Sequence, residues 1–329
     1  MSVSNVSNSG ARHLAGIVVF AVLVACLPLV TSSGVALNFA MMALYATLIA
    51  QAWNILGGFG GQFSFGHALF FGTGAYIQAI AQLQGGINAW VALPMAVAGS
   101  ALVGLFVGAL TFRYGLKGPY FSLVTLAFAE MLRVVAVNWK AVGSSLGLVV
   151  PNRGSAPALF LFADKLPYYY VILAMAVGAV VVTRMVERTR MGYALAAIRE
   201  NEDAAEAAGV DALSTKLRAM ALSSFLTALG GTFYAQYFSY IDPSLTFGPA
   251  ISIGGLLPAI VGGAGTVAGP LLGSFVLTPI SEVTRAVLRG RAGADIMLYG
   301  LVLILVISFL PNGLMGWIRA WRSAAGGRA

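Results

Sequence analysis

The sequence predicts an all-α integral membrane protein of about ten transmembrane helices, eight at the fewest. They form two similar halves, interrupted by broken or re-entrant Gly-rich segments. Three observations predict this. Only 9% of the 329 residues are charged while 59% are hydrophobic, against roughly 25% charged in soluble domains. Mean hydropathy is +0.87. Apolar runs long enough to cross about 30 Å of hydrocarbon, which takes roughly 20 helical residues, recur along the whole chain. A soluble globule of this size could not hide that much apolar surface in one core. A net charge of +8 does not point to nucleic acid, because the basic residues are scattered at the ends of apolar runs and form no patch.

In order, the runs are 14–31, 35–55, 63–83, 88–112, 119–139, 167–187, 214–238, 249–264, 268–288 and 294–312. They leave an N-terminal tail (1–13), a membrane domain (14–316) and a basic tail (317–329). The run 249–264 is short for a full span and reads as a half-helix or re-entrant segment. The Gly-rich stretch 55–66 reads as a broken helix. Ten spans place both termini on one side, with twelve basic residues from Arg12, Arg113 and Lys117 to Arg328. Six, including Lys140, Arg153 and Lys165, lie on the other. The excess favours cytoplasmic termini, against the pull of Arg285, Arg289 and Arg291. Two connections exceed tight turns. Residues 140–166 would form an outer loop. Residues 188–213, the most charged stretch, would face the cytoplasm.

Several chemistries are excluded. One cysteine, Cys26, and two histidines, His13 and His67, leave no disulfide framework and no metal site. Leu23-Val24-Ala25-Cys26 fits a lipoprotein cleavage box, but the apolar run continues past it, so Cys26 reads as part of a first transmembrane helix. No lysine follows a glycine in a Gly-Lys-Ser/Thr sequence, so the chain carries no P-loop and binds no nucleotide cofactor of its own. The stretch 263–268 fits a loose GxGxxA, but it lies between membrane-length runs rather than in a βαβ unit.

The glycines read better as close-packing and helix-breaking positions. Gly265, Gly269 and Gly273 recur at intervals of four, as do Ser64, Ala68 and Gly72, a spacing that lets helix backbones approach in lipid. The runs Gly57-Gly58-Phe59-Gly60-Gly61 and Gly262-Gly263-Ala264-Gly265 sit in corresponding places of the two halves and read either as paired interruptions that point toward a translocation path or as simple Gly-rich turns between spans. Candidate path residues are Gln62, Ser64, His67, Glu130 and Arg133. Glu130 and Arg133 lie near the middle of a span, where charge is unfavourable, and at i, i+3 they can neutralise each other. They read either as a polar element of the path or as a structural ion pair locking two helices. His67 reads more readily as a packed polar residue than as a proton relay. Gln51 and Asn54 could hydrogen-bond backbone freed by a broken helix.

In the cytoplasmic segment, residues 192–199 predict a short helix with Leu195 and Ile198 on one face. Glu200-Asn201-Glu202-Asp203 interrupts it. Asp203 with Glu206 predicts a capped second helix, which Gly209 ends. Two short helices around a small Ala-rich face read as a docking knob for a cytoplasmic partner.

Three blocks carry a family resemblance. Asn54 to Ala68 is similar to a GxxGQxSxGHA block. Ala197-Ile198-Arg199-Glu200-Asn201-Glu202 through Gly209 is similar to a cytoplasmic coupling loop. Gly262 to Pro270 is similar to a GGxGTxxGP block. Together they resemble the permease subunits of branched-chain amino acid ABC transporters, of the LivM type, over about residues 35–316. The resemblance implies a non-enzymatic importer subunit in a bacterial cytoplasmic membrane, surrounded by lipid. It implies a second, LivH-like permease, two cytoplasmic ATPase subunits that carry ATP and Mg, and an extracytoplasmic binding protein. Arg199, Glu200, Asn201, Asp203, Glu206 and Gly209 would form the ATPase-coupling loop, and Gly57, Gly61, Gly263, Gly265 and Gly269 the packing and helix-breaking glycines. The implied cargo is leucine, isoleucine or valine. A urea or short-chain amide importer of the same kind, and an ion-coupled secondary transporter, stay open as alternatives.

Overall fold

A computed structural model of the chain describes residues 34–150 and 164–287 throughout, residues 22–29 and 313–317, and scattered single positions elsewhere. The two tails, most of the runs 14–31 and 294–312, and much of the outer loop lie outside the described residues.

Helix α1 (Gly34–Trp53) continues into a π-helical turn, Asn54–Phe59, and an irregular stretch follows to Gly66. The expected break is therefore present. The next helix, α2, starts only at His67 and runs to Leu83, shorter than the 63–83 run. Ser64 consequently lies outside it, and of the predicted small-residue series only Ala68 and Gly72 belong to the helix. Helix α3 (Ala89–Arg113) is capped by Asn88, whose side chain accepts from the Trp90 amide. Helix α4 (Gly118–Asn138) opens with Pro119 in its first turn, where the missing N–H matters least.

Two 3₁₀ turns, Lys140–Val142 and Ser144–Leu146, then lead into a short strand β1 (Leu148–Val149). Helix α5 (Lys165–Arg188) returns across the bundle. It is followed by α6 (Arg190–Glu200), α7 (Glu202–Ala207) and the long α8 (Ala212–Phe238). Strand β2 (Tyr240–Ile241) pairs antiparallel with β1, Leu148 opposite Ile241. The pairing ties the loop after α4 to the end of α8. Helix α9 (Pro243–Thr246), α10 (Pro249–Gly262) and α11 (Ala268–Val287) complete the described order.

Among the described residues, five helical segments are long and apolar enough to cross a membrane: Gly34–Phe59, α3, α4, α5 and Pro243–Gly262. Helix α8 is long but carries buried Ser223, Ser224, Thr227, Thr232 and Gln236. It packs against α2, α3 and α1, so neighbouring helices rather than lipid meet its polar side chains. Small residues allow that packing: a Cβ on Gly74 would stand 2.8 Å from Ala228 Cβ, and one on Gly231 3.1 Å from the Ala75 amide nitrogen. Helices α10, α11 and α1 form a second packed group. The 249–264 run, expected as a half-helix or re-entrant segment, holds the 14-residue α10, about 21 Å long at 1.5 Å per residue; together with α9 it makes one of the five membrane-length segments.

One predicted series changes. Gly265 does not share a helix face with Gly269 and Gly273. It lies in the turn before α11 with φ +77, because the backbone must reverse between α10 and α11. Gly269 and Gly273 do lie on α11 and press on the α10 backbone at Gly263 and Pro258.

Candidate functional site

The two Gly-rich interruptions meet in space. Asn54 Oδ1 accepts from the Gly265 amide at 2.8 Å, and Asn54 Nδ2 donates to the Thr266 carbonyl at 2.9 Å. Gln51 Nε2 donates to the Val267 carbonyl at 2.7 Å. Side chains of the last α1 turn thus satisfy backbone groups that the α10–α11 reversal leaves unpaired, the condition for irregular backbone inside a membrane protein. A Cβ on Gly58 would lie 2.5 Å from the Gly265 nitrogen, so no side chain fits between the segments. The π-helical turn, a geometry that recurs at functional sites, is held further by Trp53, whose indole N–H donates to the Ser64 carbonyl at 3.0 Å.

The third sequence block enters at the same point. Arg199, near the end of α6, donates from Nη1 to the Gly58 carbonyl at 2.9 Å. A Cβ on Gly61 would stand 2.7 Å from Arg199 Cγ, and one on Gly265 2.6 Å from Arg199 Nη1. Both glycines have positive φ. The three blocks, distant in sequence, converge on one arginine.

The pair of short helices α6 and α7 is anchored by buried apolar and charged contacts. Leu195 and Ile198 are buried on one face of α6 as the sequence predicts. The second helix is capped differently from expectation. Asn201 rather than Asp203 is its N-cap, accepting from the Ala204 amide at 3.0 Å, because Asn201 takes the extended conformation at the break. Asp203 is instead drawn to Lys117, at 3.3 Å. Gly209 follows the end of α7 with φ +89, and the Val210 amide closes the turn on the Ala205 carbonyl.

Glu202 is the hub. It meets Lys216 at 2.5 Å and Lys117 at 3.4 Å. Lys216 is 2% exposed and its ammonium sits 5.1 Å from the centre of the Phe112 ring. The Asp203 hydrogen bond, with the Glu202 and Asp203 charges, outweighs desolvation and raises the Lys117 pKa above its ordinary 10.5. Above these anchors, Asp203, Ala204, Glu206, Ala207, Ala208 and Gly209 remain exposed. Beside them is an open groove of about 500 Å³, whose lining includes Tyr193, Ala194, Ala197, Gly209, Val210 and Arg218.

The other candidates are placed separately. His67 is fully buried, its Nε2 2.9 Å from Ser223 Oγ, which in turn donates to the Ala52 carbonyl. That is the environment of a packing residue between α1, α2 and α8. Ser64 Oγ accepts from the Gly66 amide and so shapes the turn before α2. Gln62 is buried and donates to the Gly60 carbonyl at 3.3 Å. Glu130 and Arg133 pair within α4 at 2.6 Å, their side chains 39% and 33% exposed. Among the described residues the pair joins no second helix, and it is partly exposed.

Sequence reasoning placed Glu202 only in the helix break and the loop block, and gave Lys216 and Lys117 no role in the site. A lysine within the first turns of an apolar run, at 216, was a usable signal: a buried charge needs a partner. Its partner lies across a helix break, where no periodicity reaches.

A bundle of apolar helices with two interrupted segments joined at one point, and a pair of short helices hydrogen-bonded to that point, fits a membrane transport protein of the permease class. The chain belongs to the family of the branched-chain amino acid transport system permease component, whose model matches residues 35–307. It is 25% identical to the high-affinity branched-chain amino acid transport system permease protein LivM of Salmonella typhimurium, over 92% of this chain and 75% of that one. It is 24% identical to LivM of Escherichia coli, with the same coverage. The autoinducer 2 import system permease protein LsrC of Salmonella paratyphi B is 25% identical over 68% of this chain and 64% of that one. No solved structure matches the chain.

Proposed function

We propose that this chain is a permease subunit of an ATP-driven importer for branched-chain amino acids, leucine, isoleucine or valine. It would work with a second, LivH-like permease, two ATPase subunits and an extracytoplasmic binding protein. The observation that carries the coupling part of this reading is the Arg199–Gly58 contact: the exposed helix pair at 190–207 is joined by a charge-assisted hydrogen bond to the point where the two interrupted segments meet. The exposed Ala204, Glu206, Ala207, Ala208 and Gly209 would receive the ATPase. Its nucleotide-dependent movement would shift α6 and α7 as one body, since Ile198 of α6 and Ala205 of α7 pack in one buried cluster, and Arg199 would carry the shift into the π-helical turn. A partner that binds two positions of this loop with different affinity is what moves the equilibrium between them. The likeness to the LivM proteins supports branched-chain amino acids as cargo; the likeness to LsrC marks how far cargo varies among relatives. No bond is made or broken in the solute, so no catalytic residue is assigned. Both termini would lie in the cytoplasm, with Arg113, Lys117, Arg199 and Lys216 on that side.

The test is the composition and activity of the complex. Purified in mild detergent, the tagged chain should bring two ATPases and a second permease. Glu206→Lys or Gly209→Trp should release the ATPases and abolish leucine uptake while leaving membrane insertion intact. Uptake that survives both changes refutes the coupling assignment, and a chain that moves solute in liposomes alone, without ATP, refutes the importer.

A further inference from the structure

Helix α4 presents a face that the coupling arrangement leaves unused. At 3.6 residues per turn, Pro119, Ser122, Leu123, Leu126, Glu130 and Arg133 fall on one arc roughly 100° wide. It lies beside the buried face of Phe121, Thr125, Ala129 and Ala136. The Pro119 end of the arc lines an open cavity of about 640 Å³, with apolar walls from Phe63, Phe65, Leu123, Leu126, Pro249 and Ile253. Ser122, also in the lining, has its hydroxyl engaged by the Phe63 carbonyl at 2.6 Å. The other end carries Glu130 and Arg133, and one helical turn, about 6 Å of rise, separates Leu126 from Glu130.

Two physical facts restrict what covers this arc. Helix α4 is the least enclosed of the membrane-length segments, with 28% of its apolar window buried. Its partly exposed ion pair is strongly disfavoured against hydrocarbon, so the arc must meet protein or water. The cavity sits where the stretch before α2, the start of α4 and the start of α10 come together, which is the broken-helix setting in which transporters place solute. The surface is therefore an apolar trough with, one turn beyond its lining, a negative and a positive group paired with each other at 2.6 Å, a pair that an incoming zwitterion would exchange for its own two charges. That is complementary to a zwitterion bearing an aliphatic side chain: ammonium toward Glu130, carboxylate toward Arg133, side chain along Leu126 and Leu123. A lipid acyl chain would suit the trough but not the ion pair.

We propose that this arc of α4, with Phe63, Phe65, Pro249 and Ile253, is the chain's wall of the solute path and takes an aliphatic α-amino acid. The assignment rests on the importer reading and adds where the solute runs. The test uses the full complex with its binding protein, in liposomes. Leu126→Cys and Leu123→Cys are each placed on a Cys26→Ser background, since Cys26 is the only cysteine of the chain. Modification by a small water-soluble thiosulfonate is read on this chain by mass spectrometry. The reagent should reach either position. Leucine at about ten times its half-saturating concentration should slow the modification about tenfold, while urea should not. Glu130→Gln and Arg133→Gln should each lower leucine uptake about tenfold or more with the ATPases still bound. Modification indifferent to leucine, or no modification at either position, overturns the assignment. The two cysteine sites guard against one misfolding, because Leu123 is well exposed. Absence of the ATPases from the purified complex would instead refute the importer reading itself, whatever the labelling shows.

Discussion

Replacing Gly265 by alanine should loosen the point where the α6–α7 pair meets the broken helices. The new Cβ would stand 2.6 Å from Arg199 Nη1 and 3.0 Å from the Gly58 carbonyl oxygen, at φ +77. A non-glycine residue in the left-handed region costs about 1–2 kcal/mol. Displacing the guanidinium breaks a charge-assisted hydrogen bond worth about 1.5–3 kcal/mol; the Arg199 side chain is 40% exposed, so water screens it and the lower end applies. Together about 3 kcal/mol of local stability is lost, which lowers amide protection roughly a hundredfold. Hydrogen exchange on the purified complex reads this directly. The Gly265 amide, held by Asn54, and the Gln62 amide, held by the Leu56 carbonyl, should both exchange faster, together with residues 195–201. Gly254→Ala is the internal contrast. Gly254 lies within α10 with nothing near its missing Cβ, so alanine there should stabilise by about 0.5–1 kcal/mol. Equal protection in Gly265→Ala and the parent chain, or loss confined to 263–267 without change at 195–201, would refute the linkage through Arg199.

Two further outcomes follow from the anchors. Lys216→Met removes the buried partner of Glu202 and leaves only Lys117 to hold α7; about 3 kcal/mol of local stability should go, seen as faster tryptic cleavage after Arg199, and unchanged cleavage would show that Lys216 does not hold the loop. Because the Lys117 pKa is raised in the folded state, its contribution is complete below the unfolded value of about 10.5 and is lost as pH rises through the higher folded value; protection of 202–207, corrected for intrinsic rates, should therefore stay constant between about pH 6 and 9, and a step within that window would contradict the assignment.

Sequence alone was enough for the class of the molecule, the position of its interruptions and the existence of two short helices between 188 and 213. These are local properties. Apolar run length follows from solvent, Gly57 and Gly58 weaken helix wherever they stand, Leu195 and Ile198 mark one face by spacing, and Gly209 ends a helix by its own backbone freedom. What the tertiary structure decided is which of these features act together. Asn54 meets Gly265, Arg199 meets Gly58, and Glu202 meets Lys216 only because α1, α6, α8 and the α10–α11 reversal pack at one place. The first two join residues more than a hundred positions apart and the third bridges a helix break, so none leaves a period in the sequence. The same holds for the corrections: Asn201 rather than Asp203 caps α7 because the chain is extended at Asn201 and already helical at Asp203, and Gly265 leaves its expected helix face because the chain must reverse there. Glu130 and Arg133 were legible as a pair, since i, i+3 spacing is local. That the pair is partly exposed beside an apolar trough was not, because exposure is set by how little of α4 the remaining helices cover.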